Sequence, residues 1–242
     1  MNLIIDVGNT RVKVAVFKGD TMQDSFSFHH NEIDIQVKKI KKTYKITAVI
    51  LSKVASIANF ISVKELESVF LIALSNTTPI PFKNRYQTPN TLGIDRIALA
   101  AAAFKSYPNK NTLIIDAGTC ITFDFINDKN EYLGGAISPG VTMRYKALHQ
   151  FTDGLPELNL QVPEKLIGSS TKASINSGVI YGVIKEIEGI ISEYRMKYPD
   201  LTIVLTGGDT NFLAKQLKSG IFANQNFLLE GLNSILIFNN SK

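Results

Sequence analysis

The chain has 242 residues, a formal net charge of +5 and a composition that is 45% hydrophobic and 19% charged. Such a chain can fill the core of one large domain or two small ones, and its single cysteine, Cys120, excludes an internal disulfide and a cysteine-rich zinc site. The first residues, MNLIIDVGNT, have no basic leader or cleavage site, and no apolar run reaches the roughly 18 residues of a membrane span, so we expect a cytoplasmic protein without a membrane partner.

The first part of the chain predicts an antiparallel meander. Apolar runs with period-two character indicate strands at Leu3–Asp6, Val12–Phe17 and Met22–Phe28. His29 and His30 follow the third run and are interpreted as polar residues at a strand end.

A helix is predicted from Ile33 to Tyr44. Its cluster of lysines at 38–42 is interpreted as a solvated helix face, because it lacks the interleaved aromatic side chains of a protein that binds single-stranded nucleic acid. We therefore expect no nucleic-acid partner. A β-branched run at 47–51 predicts another strand, whereas TTPIPF at 77–82 is too rich in proline for a central strand.

The order of elements then repeats. The alanine-rich segment IDRIALAAAAF predicts a helix, and apolar strands are predicted at Leu113–Asp116, Cys120–Ile126 and Glu131–Ala136. The segment LIIDVGNTRVKVAVF of the first half matches LIIDAGTCITFDFI of the second, which indicates an internal duplication. We therefore expect two α/β lobes with a cleft between them, at 1–110 and 111–242.

The remaining segments predict the other elements of the second lobe. A helix is expected over VTMRYKALHQF, and a longer one from Ser174, its candidate N-cap, to about Lys197. A strand at TIVLTGG, a helix from about Thr210, a short strand near Phe227 and an apolar helix over Gly231–Phe238 are predicted to follow.

The segment DVGNT, from Asp6 to Thr10, is the first candidate for chemistry. A strand delivers Asp6 to the end of a sheet, and Gly8 has no Cβ to keep a phosphate away from the backbone N–H groups. A carboxylate at this place can hold a magnesium ion or its water shell. For one such copy, a hairpin that uses Asp and Gly only for its turn is the alternative. The second copy, DAGT at 116–119, favours the phosphate interpretation.

Three further motifs could serve the same site. TGGD at 206–209 follows a strand and precedes a helix, as a nucleotide-binding turn does, although the chain has no P-loop. GIDR at 93–96 places Asp95 in the first turn of the alanine-rich helix, where the helix dipole favours the ionised carboxylate. Asp95 could accept the proton of an attacking hydroxyl and Arg96 could pair with an anionic substrate, or both could merely start a helix. GGAISPG at 134–140 is a glycine-rich loop that suggests close packing against a ligand or a partner chain.

In their order and spacing, these motifs resemble the type III pantothenate kinases from Leu3 to about Leu232. The resemblance implies an α/β fold of two duplicated RNase H-like lobes, each a mixed sheet flanked by helices, as in the sugar kinase, Hsp70 and actin superfamily. It also implies an ATP-dependent kinase that phosphorylates pantothenate in the first step of coenzyme A synthesis. The family works as a homodimer and uses magnesium together with a monovalent cation, potassium or ammonium.

The resemblance also implies roles for individual residues. Asp95 matches the general base, Asp116 the ligand of the monovalent cation, and Asp6 a magnesium ligand that acts directly or through water. The positions that match the ATP-binding residues are Asp6, Val7, Gly8, Asn9, Thr10, Arg11, Val12, Lys13 and Thr119. The positions that match the pantothenate pocket are Tyr86, Gly93, Ile94, Asp95, Arg96 and Thr171, the last of which acts across the dimer interface.

Two positions depart from the family pattern. Ser170 stands where the family more usually has Asn, and Thr210 follows TGGD where Ala is commoner. These changes concern the wall of the pantothenate pocket and the adenine contacts. Two other functions stay open from the sequence: a kinase of another small hydroxyl compound such as a sugar, and a non-catalytic accessory protein that has kept the fold. The intact acidic motif residues disfavour the second of these.

Overall fold

The computed structural model describes residues 1–53 and 69–241. The strands in these ranges are β1 (Asn2–Val7), β2 (Val12–Lys18), β3 (Thr21–Phe28), β4 (Ala48–Lys53), β5 (Phe70–Ala73), β6 (Lys83–Asn84), β7 (Thr112–Ala117), β8 (Cys120–Ile126), β9 (Glu131–Pro139), β10 (Thr202–Thr206) and β11 (Phe222–Ala223). The α-helices are α1 (Ile33–Thr43), α2 (Ile94–Ser106), α3 (Val141–Gln150), α4 (Thr171–Lys197), α5 (Thr210–Leu213) and α6 (Phe227–Asn240).

Contacts divide the chain into two compact units. Unit 1 comprises Met1–Asn109, Asp128–Leu133 and Asn226–Lys242, and unit 2 comprises Lys110–Asn127 and Gly134–Gln225. These ranges differ from the predicted lobes in two places, since Asp128–Leu133 and α6 both belong to unit 1. The division of the chain into domains at 110/111 stays a prediction.

Unit 1 is built on a five-stranded mixed sheet of order β3-β2-β1-β4-β5. β1 is antiparallel to β2 and β2 is antiparallel to β3, which confirms the predicted meander. β4 lies on the other side of β1 and is parallel to it, and β5 continues the parallel part of the sheet. β1 is therefore a central strand, and all but its first residue are buried.

The two faces of this sheet are covered by different helices. Alternate residues of β1 and β2 pack with α1 through Ile33, Val37 and Ile40, which recur at the spacing of one helix face. α2 and α6 pack against each other, and α6 also contacts β1 and β4. The approach of α6 to α2 is so close that a Cβ on Gly231 would lie 1.9 Å from the carbonyl oxygen of Ala98. The alanines of α2 permit this approach because they project little beyond the helix backbone.

Unit 2 repeats the plan of unit 1. Its strands run in the order β11-β10-β7-β8-β9, in which β7 is antiparallel to β8 and parallel to β10. The corresponding order in unit 1 is β5-β4-β1-β2-β3. The duplication expected from the two matching segments is thus present in the strand order as well. α3 and α4 pack together and cover one face of β7 and β8 with a fully apolar core.

Two predicted boundaries in the second half are wrong. α4 begins at Thr171, and its N-cap is Ser170, whose hydroxyl accepts a hydrogen bond from the N–H of Ala173 at 3.2 Å. Ser174 instead donates to the carbonyl oxygen of Gly168, because the preceding loop folds back onto the first turn of the helix. The short strand predicted near Phe227 is also wrong.

Phe227, near which the short strand was predicted, is a core residue of unit 1. Phe227 is only 1% exposed and begins α6, where its ring lies 6.4 Å from that of Tyr107. The short strand is β11, five residues earlier, where it pairs with β10. Within the described ranges, no helix combines the length and apolarity needed to cross a bilayer.

Candidate active site

The turn between β1 and β2 is closed by its own backbone. The N–H of Gly8 donates to the carbonyl oxygen of Arg11 at 3.2 Å. A Cβ on Gly8 would lie 3.3 Å from that same oxygen, so the turn has little room for a side chain at this position. The residues from Asn9 to Arg11 are exposed, and the predicted phosphate loop is therefore accessible to solvent in unit 1.

Asp6 is buried at the end of β1, with 8% of its surface exposed. It lies between Lys13 of β2 and Ser52 of β4 in the register of the sheet. Burial raises the pKa of this carboxyl to about 6, Ser52 and Lys13 act in the opposite direction, and the charge of Asp95 raises the pKa further. Two of the predicted functional carboxylates therefore belong to the same unit, with one near enough for its charge to act on the other.

Magnesium commonly keeps one or two protein carboxylates and completes its shell with water and phosphate oxygens. A buried carboxylate such as Asp6 fits that pattern. In residues 1–53 and 69–241, no group of three His, Cys, Asp or Glu side chains gathers as a metal site made of protein ligands alone.

The GIDR motif has a steric reason for its glycine. Asp95 lies in the first turn of α2 and accepts a hydrogen bond from the N–H of Arg96 at 2.9 Å. A Cβ on Gly93 would lie 2.3 Å from Oδ1 of Asp95. The carboxylate therefore occupies the space that any other residue at position 93 would fill. The loop before it is held by Asn76, whose amide donates to the carbonyl oxygens of Pro89 and Leu92 at 2.8 and 2.7 Å.

Two residues predicted to bind the acceptor are also in contact. Arg96 is buried, and its guanidinium carbon lies 5.6 Å from the centre of the Tyr86 ring. The Tyr86 ring in turn lies 6.2 Å from that of Tyr132, which is fully buried. Tyr86 and Arg96 are thus held as a pair beside the first turn of α2. Tyr132 was not among the residues that the sequence indicated, because no motif contains it.

Three motifs of the second half meet in unit 2. The turn DAGT is closed by a bond from the N–H of Gly118 to the carbonyl oxygen of Cys120 at 2.9 Å. Gly140 of the GGAISPG loop donates to the carbonyl oxygen of Thr119 at 3.1 Å, and a Cβ on it would lie 2.2 Å from the carbonyl oxygen of Gly118. Gly140 is therefore required by its packing against DAGT.

The TGGD motif approaches DAGT from the neighbouring strand. Gly207 has a φ of +97°, and a Cβ on it would lie 2.4 Å from Oδ1 of Asp116. The N–H of Asp209 donates to the carbonyl oxygen of Ala117 at 2.9 Å. Burial raises the pKa of the Asp209 carboxyl. Thr210 is buried and its hydroxyl donates to the carbonyl oxygen of Gly207 at 2.7 Å, so this departure from the family pattern closes the turn.

Thr171, the remaining predicted site residue, lies in a different part of unit 2. It is the first residue of α4 and borders a groove of about 910 Å³ between α3 and α4. The groove is lined mainly by apolar side chains, among them Leu148, Phe151 and Val179. Phe151 is 80% exposed.

Comparisons with known proteins agree with this architecture. The sequence model of the type III pantothenate kinase family matches residues 2–193. A relative from Christiangramia forsetii, named Type III pantothenate kinase, is 49% identical over 243 residues, and the match covers 100% of both chains. The chain belongs to the type III pantothenate kinase family. The predicted family is thereby confirmed.

Solved structures of lower identity share the fold. A Baf family protein from Campylobacter jejuni has a TM-score of 0.63 at 22% identity, with 99% of this chain and 100% of that one covered. A glucokinase from an Antarctic psychrotroph has a TM-score of 0.56 at 11% identity, with 98% of each chain covered. The predicted fold class, duplicated units with mixed sheets flanked by helices as in the sugar kinases, is confirmed. The roles of the individual site residues stay predictions.

Replacing Gly93 with alanine tests whether the position of Asp95 matters. The new Cβ would displace a flexible carboxylate and no backbone, and the φ of Gly93, −58°, suits alanine. We expect the melting temperature to change little and kcat for ATP-dependent phosphorylation to fall by roughly 10- to 100-fold. Gly220→Ala is the control, because a Cβ there meets no atom within 4 Å. An unchanged kcat in Gly93→Ala would show that catalysis does not depend on the position of the Asp95 carboxylate.

Asp6→Asn tests the raised pKa of Asp6. Because the folded protein holds this proton more tightly than the unfolded chain, with a pKa of about 6 against 3.8, ionisation of Asp6 opposes folding. Its cost is absent below pH 3.8 and grows as the pH rises to about 6. Asparagine cannot ionise, so we expect Asp6→Asn to unfold with a free energy higher by up to about 3 kcal/mol at pH 8.

Urea unfolding at pH 4 and pH 8, without nucleotide, measures this difference. The gain of Asp6→Asn should be nearly absent at pH 4 and present at pH 8. Asp153→Asn, which changes an exposed carboxylate, should show no comparable gain. An equal effect of Asp6→Asn at both pH values would contradict the assignment.

Proposed function

We propose that this protein is a cytoplasmic ATP-dependent pantothenate kinase. It transfers the γ-phosphate of ATP to the primary hydroxyl of pantothenate and forms 4′-phosphopantothenate, the first step of coenzyme A biosynthesis. The observation that carries this proposal is the full-length match to relatives named Type III pantothenate kinase. The arrangement of Asp6, Gly93, Asp95 and Arg96 in unit 1 supports it.

In this proposal, the loop from Asp6 to Lys13 binds the phosphates of ATP. Its accessible backbone between Gly8 and Arg11 supplies N–H donors, and Lys13 supplies positive charge beside Asp6. Asp6 holds magnesium, which when bound neutralises charge on the phosphates. Thr119 is proposed to bind the nucleotide because it matches an ATP-binding position of the family. Phosphoryl transfer has a loose transition state, so positioning and charge contribute most of the rate.

Asp95 is the proposed general base. The pantothenate hydroxyl oxygen attacks the γ-phosphorus, the bond from phosphorus to the bridging oxygen of ADP breaks, and the hydroxyl proton passes to Asp95. Gly93 leaves the space in which the Asp95 carboxylate lies. Arg96, stacked on Tyr86, is proposed to bind the carboxylate of pantothenate through its planar guanidinium. Gly93 and Ile94 complete this pocket.

Asp116 is the proposed ligand of the monovalent cation, potassium or ammonium. Its carboxylate lies where β7 ends, next to the backbone of Gly207. The carboxylate of Asp116 would supply oxygen atoms to such an ion. The role of Asp116 rests on the match to the family motif.

We also propose that the protein is a homodimer. The apolar groove between α3 and α4 and the exposed ring of Phe151 beside it form one surface. In a two-fold symmetric contact, each copy could place its Phe151 in the groove of the other. This arrangement would cover the apolar face. Thr171, at the edge of the groove, is proposed from the match to the family to act across the dimer interface.

ADP release by the purified protein tests the reaction. With ATP, magnesium and potassium, release is expected to depend on pantothenate, to be absent with glucose as acceptor, and to collapse when sodium replaces potassium. Asp95→Asn is expected to lower kcat by about 100-fold or more, because the proton acceptor is lost. Asp153→Asn is the control and should retain full activity.

Each contrary result has a definite meaning. Release that depends on glucose would favour a sugar kinase, and no release with any acceptor, together with firm binding to DNA or a protein, would favour an accessory role. Full activity of Asp95→Asn would contradict the general base while leaving the reaction intact. Unchanged activity in sodium would contradict the cation site alone.

The dimer is tested by light scattering after gel filtration. The wild-type protein is expected to have twice the mass of one chain, and Phe151→Asp to have the mass of one, because it places a charge in an apolar contact. Met196→Asp changes another exposed apolar residue, near the other end of α4, and should leave the mass unchanged. A wild-type monomer, or a dimer that survives Phe151→Asp, would contradict this interface.

A further inference from the structure

The first predicted phosphate loop, from Asp6 to Lys13, accepts a hydrogen bond from a histidine that lies outside it in the sequence. Nε2 of His30 lies 2.8 Å from the carbonyl oxygen of Gly8. A carbonyl oxygen can only accept, so Nε2 carries the hydrogen and donates it. His30 is half-buried at the start of a short 3-10 turn between β3 and α1. The sequence offered no signal for this contact, since the two residues are 22 positions apart.

This hydrogen bond determines the direction in which the N–H of Asn9 points. The carbonyl of Gly8 and the N–H of Asn9 belong to one trans peptide, in which they point in opposite directions. When His30 holds the carbonyl on one side of the loop, the Asn9 N–H must point to the other. The N–H of Gly8, in the preceding peptide, is bonded to Arg11, so the Val7–Gly8 peptide is held as well as the Gly8–Asn9 peptide.

A second contact holds the other end of the loop to the same segment. Arg11 donates from Nε to the hydroxyl of Ser27 at 2.9 Å and from a terminal nitrogen to the carbonyl oxygen of Ser27 at 3.0 Å. Ser27 and His30 both belong to the stretch that ends β3 and leads to α1. This stretch therefore holds the loop at Gly8 and at Arg11, on either side of the exposed residues Asn9 and Thr10.

We propose that His30 is a positioning residue for the phosphates of the nucleotide, an inference that rests on the proposed kinase function. It does not touch the substrate. It acts through the Gly8–Asn9 peptide, whose N–H it directs toward the bound phosphates. Preorganised donors contribute more to binding and transfer than donors that must be reoriented when the ligand arrives. Loss of His30 should therefore affect ATP more than the acceptor.

Three variants of the full-length protein test this role. His30→Phe keeps a ring but removes the donor, and His30→Gln restores an N–H donor at the same number of bonds from Cβ. Asn31→Phe is the matched control, since Asn31 is exposed and follows His30 by one residue. We expect His30→Phe to raise KM for ATP about tenfold and to leave KM for pantothenate within about twofold. His30→Gln should recover most of this loss, and Asn31→Phe should resemble the wild type.

The dissociation constant of magnesium–ATP, measured by calorimetry, gives a second readout that does not require turnover. It should weaken about tenfold in His30→Phe and recover in His30→Gln. Unchanged ATP affinity in His30→Phe, a Gln variant as weak as the Phe variant, or an equal rise of both KM values would overturn the proposal. A wild-type protein that binds ATP but does not phosphorylate pantothenate would overturn the proposed function instead, and the calorimetric comparison would still decide the role of His30.

Discussion

The close approach of glycine backbone to carboxylates is the constraint on which the rest of the site depends. Gly93 leaves the space that the Asp95 carboxylate occupies, and Gly207 does the same for Asp116. At 2.3 and 2.4 Å, a Cβ would overlap with the oxygen in each case. In both places the main chain comes close to the carboxylate. This part of the main chain is already ordered, in a helix start or at a strand end, so it loses little entropy when a ligand binds.

The two units use one architecture for different electrostatic environments. Asp6 and Asp116 occupy equivalent places, each at the end of the strand between an antiparallel and a parallel neighbour. Asp6 is buried and has a raised pKa, whereas Asp116 is only half-buried and is packed against Gly207. Lys13 lies beside Asp6 in the register, but Thr122 lies beside Asp116. Duplication thus preserved the backbone, and substitution of the neighbours gave the two carboxylates different surroundings.

The position of Asp95 also depends on the far end of the chain. Asp95 begins α2, and α2 is held by α6, whose Gly231 allows the two backbones to meet at Ala98. α6 contacts β1 and β4 as well, which are the strands that deliver Asp6 and Ser52. One helix therefore supports the elements that carry Asp6 and Asp95, the two predicted functional carboxylates of unit 1. This accounts for the inclusion of residues 226–242 in that unit.

Local pattern and motif order determined much of this protein from sequence alone: the two meanders, the alanine-rich helix, the duplication and the family. These features depend on periodicity and on neighbours along the chain, which a sequence displays directly. Tertiary structure alone decided the contact of His30 with Gly8, the packing of Gly93 and Gly207 against carboxylates, and the start of α4 at Thr171. Each of these depends on which atoms the fold brings within a few ångströms of one another, and a serine, histidine or glycine has the same local propensity whether or not such a neighbour is present.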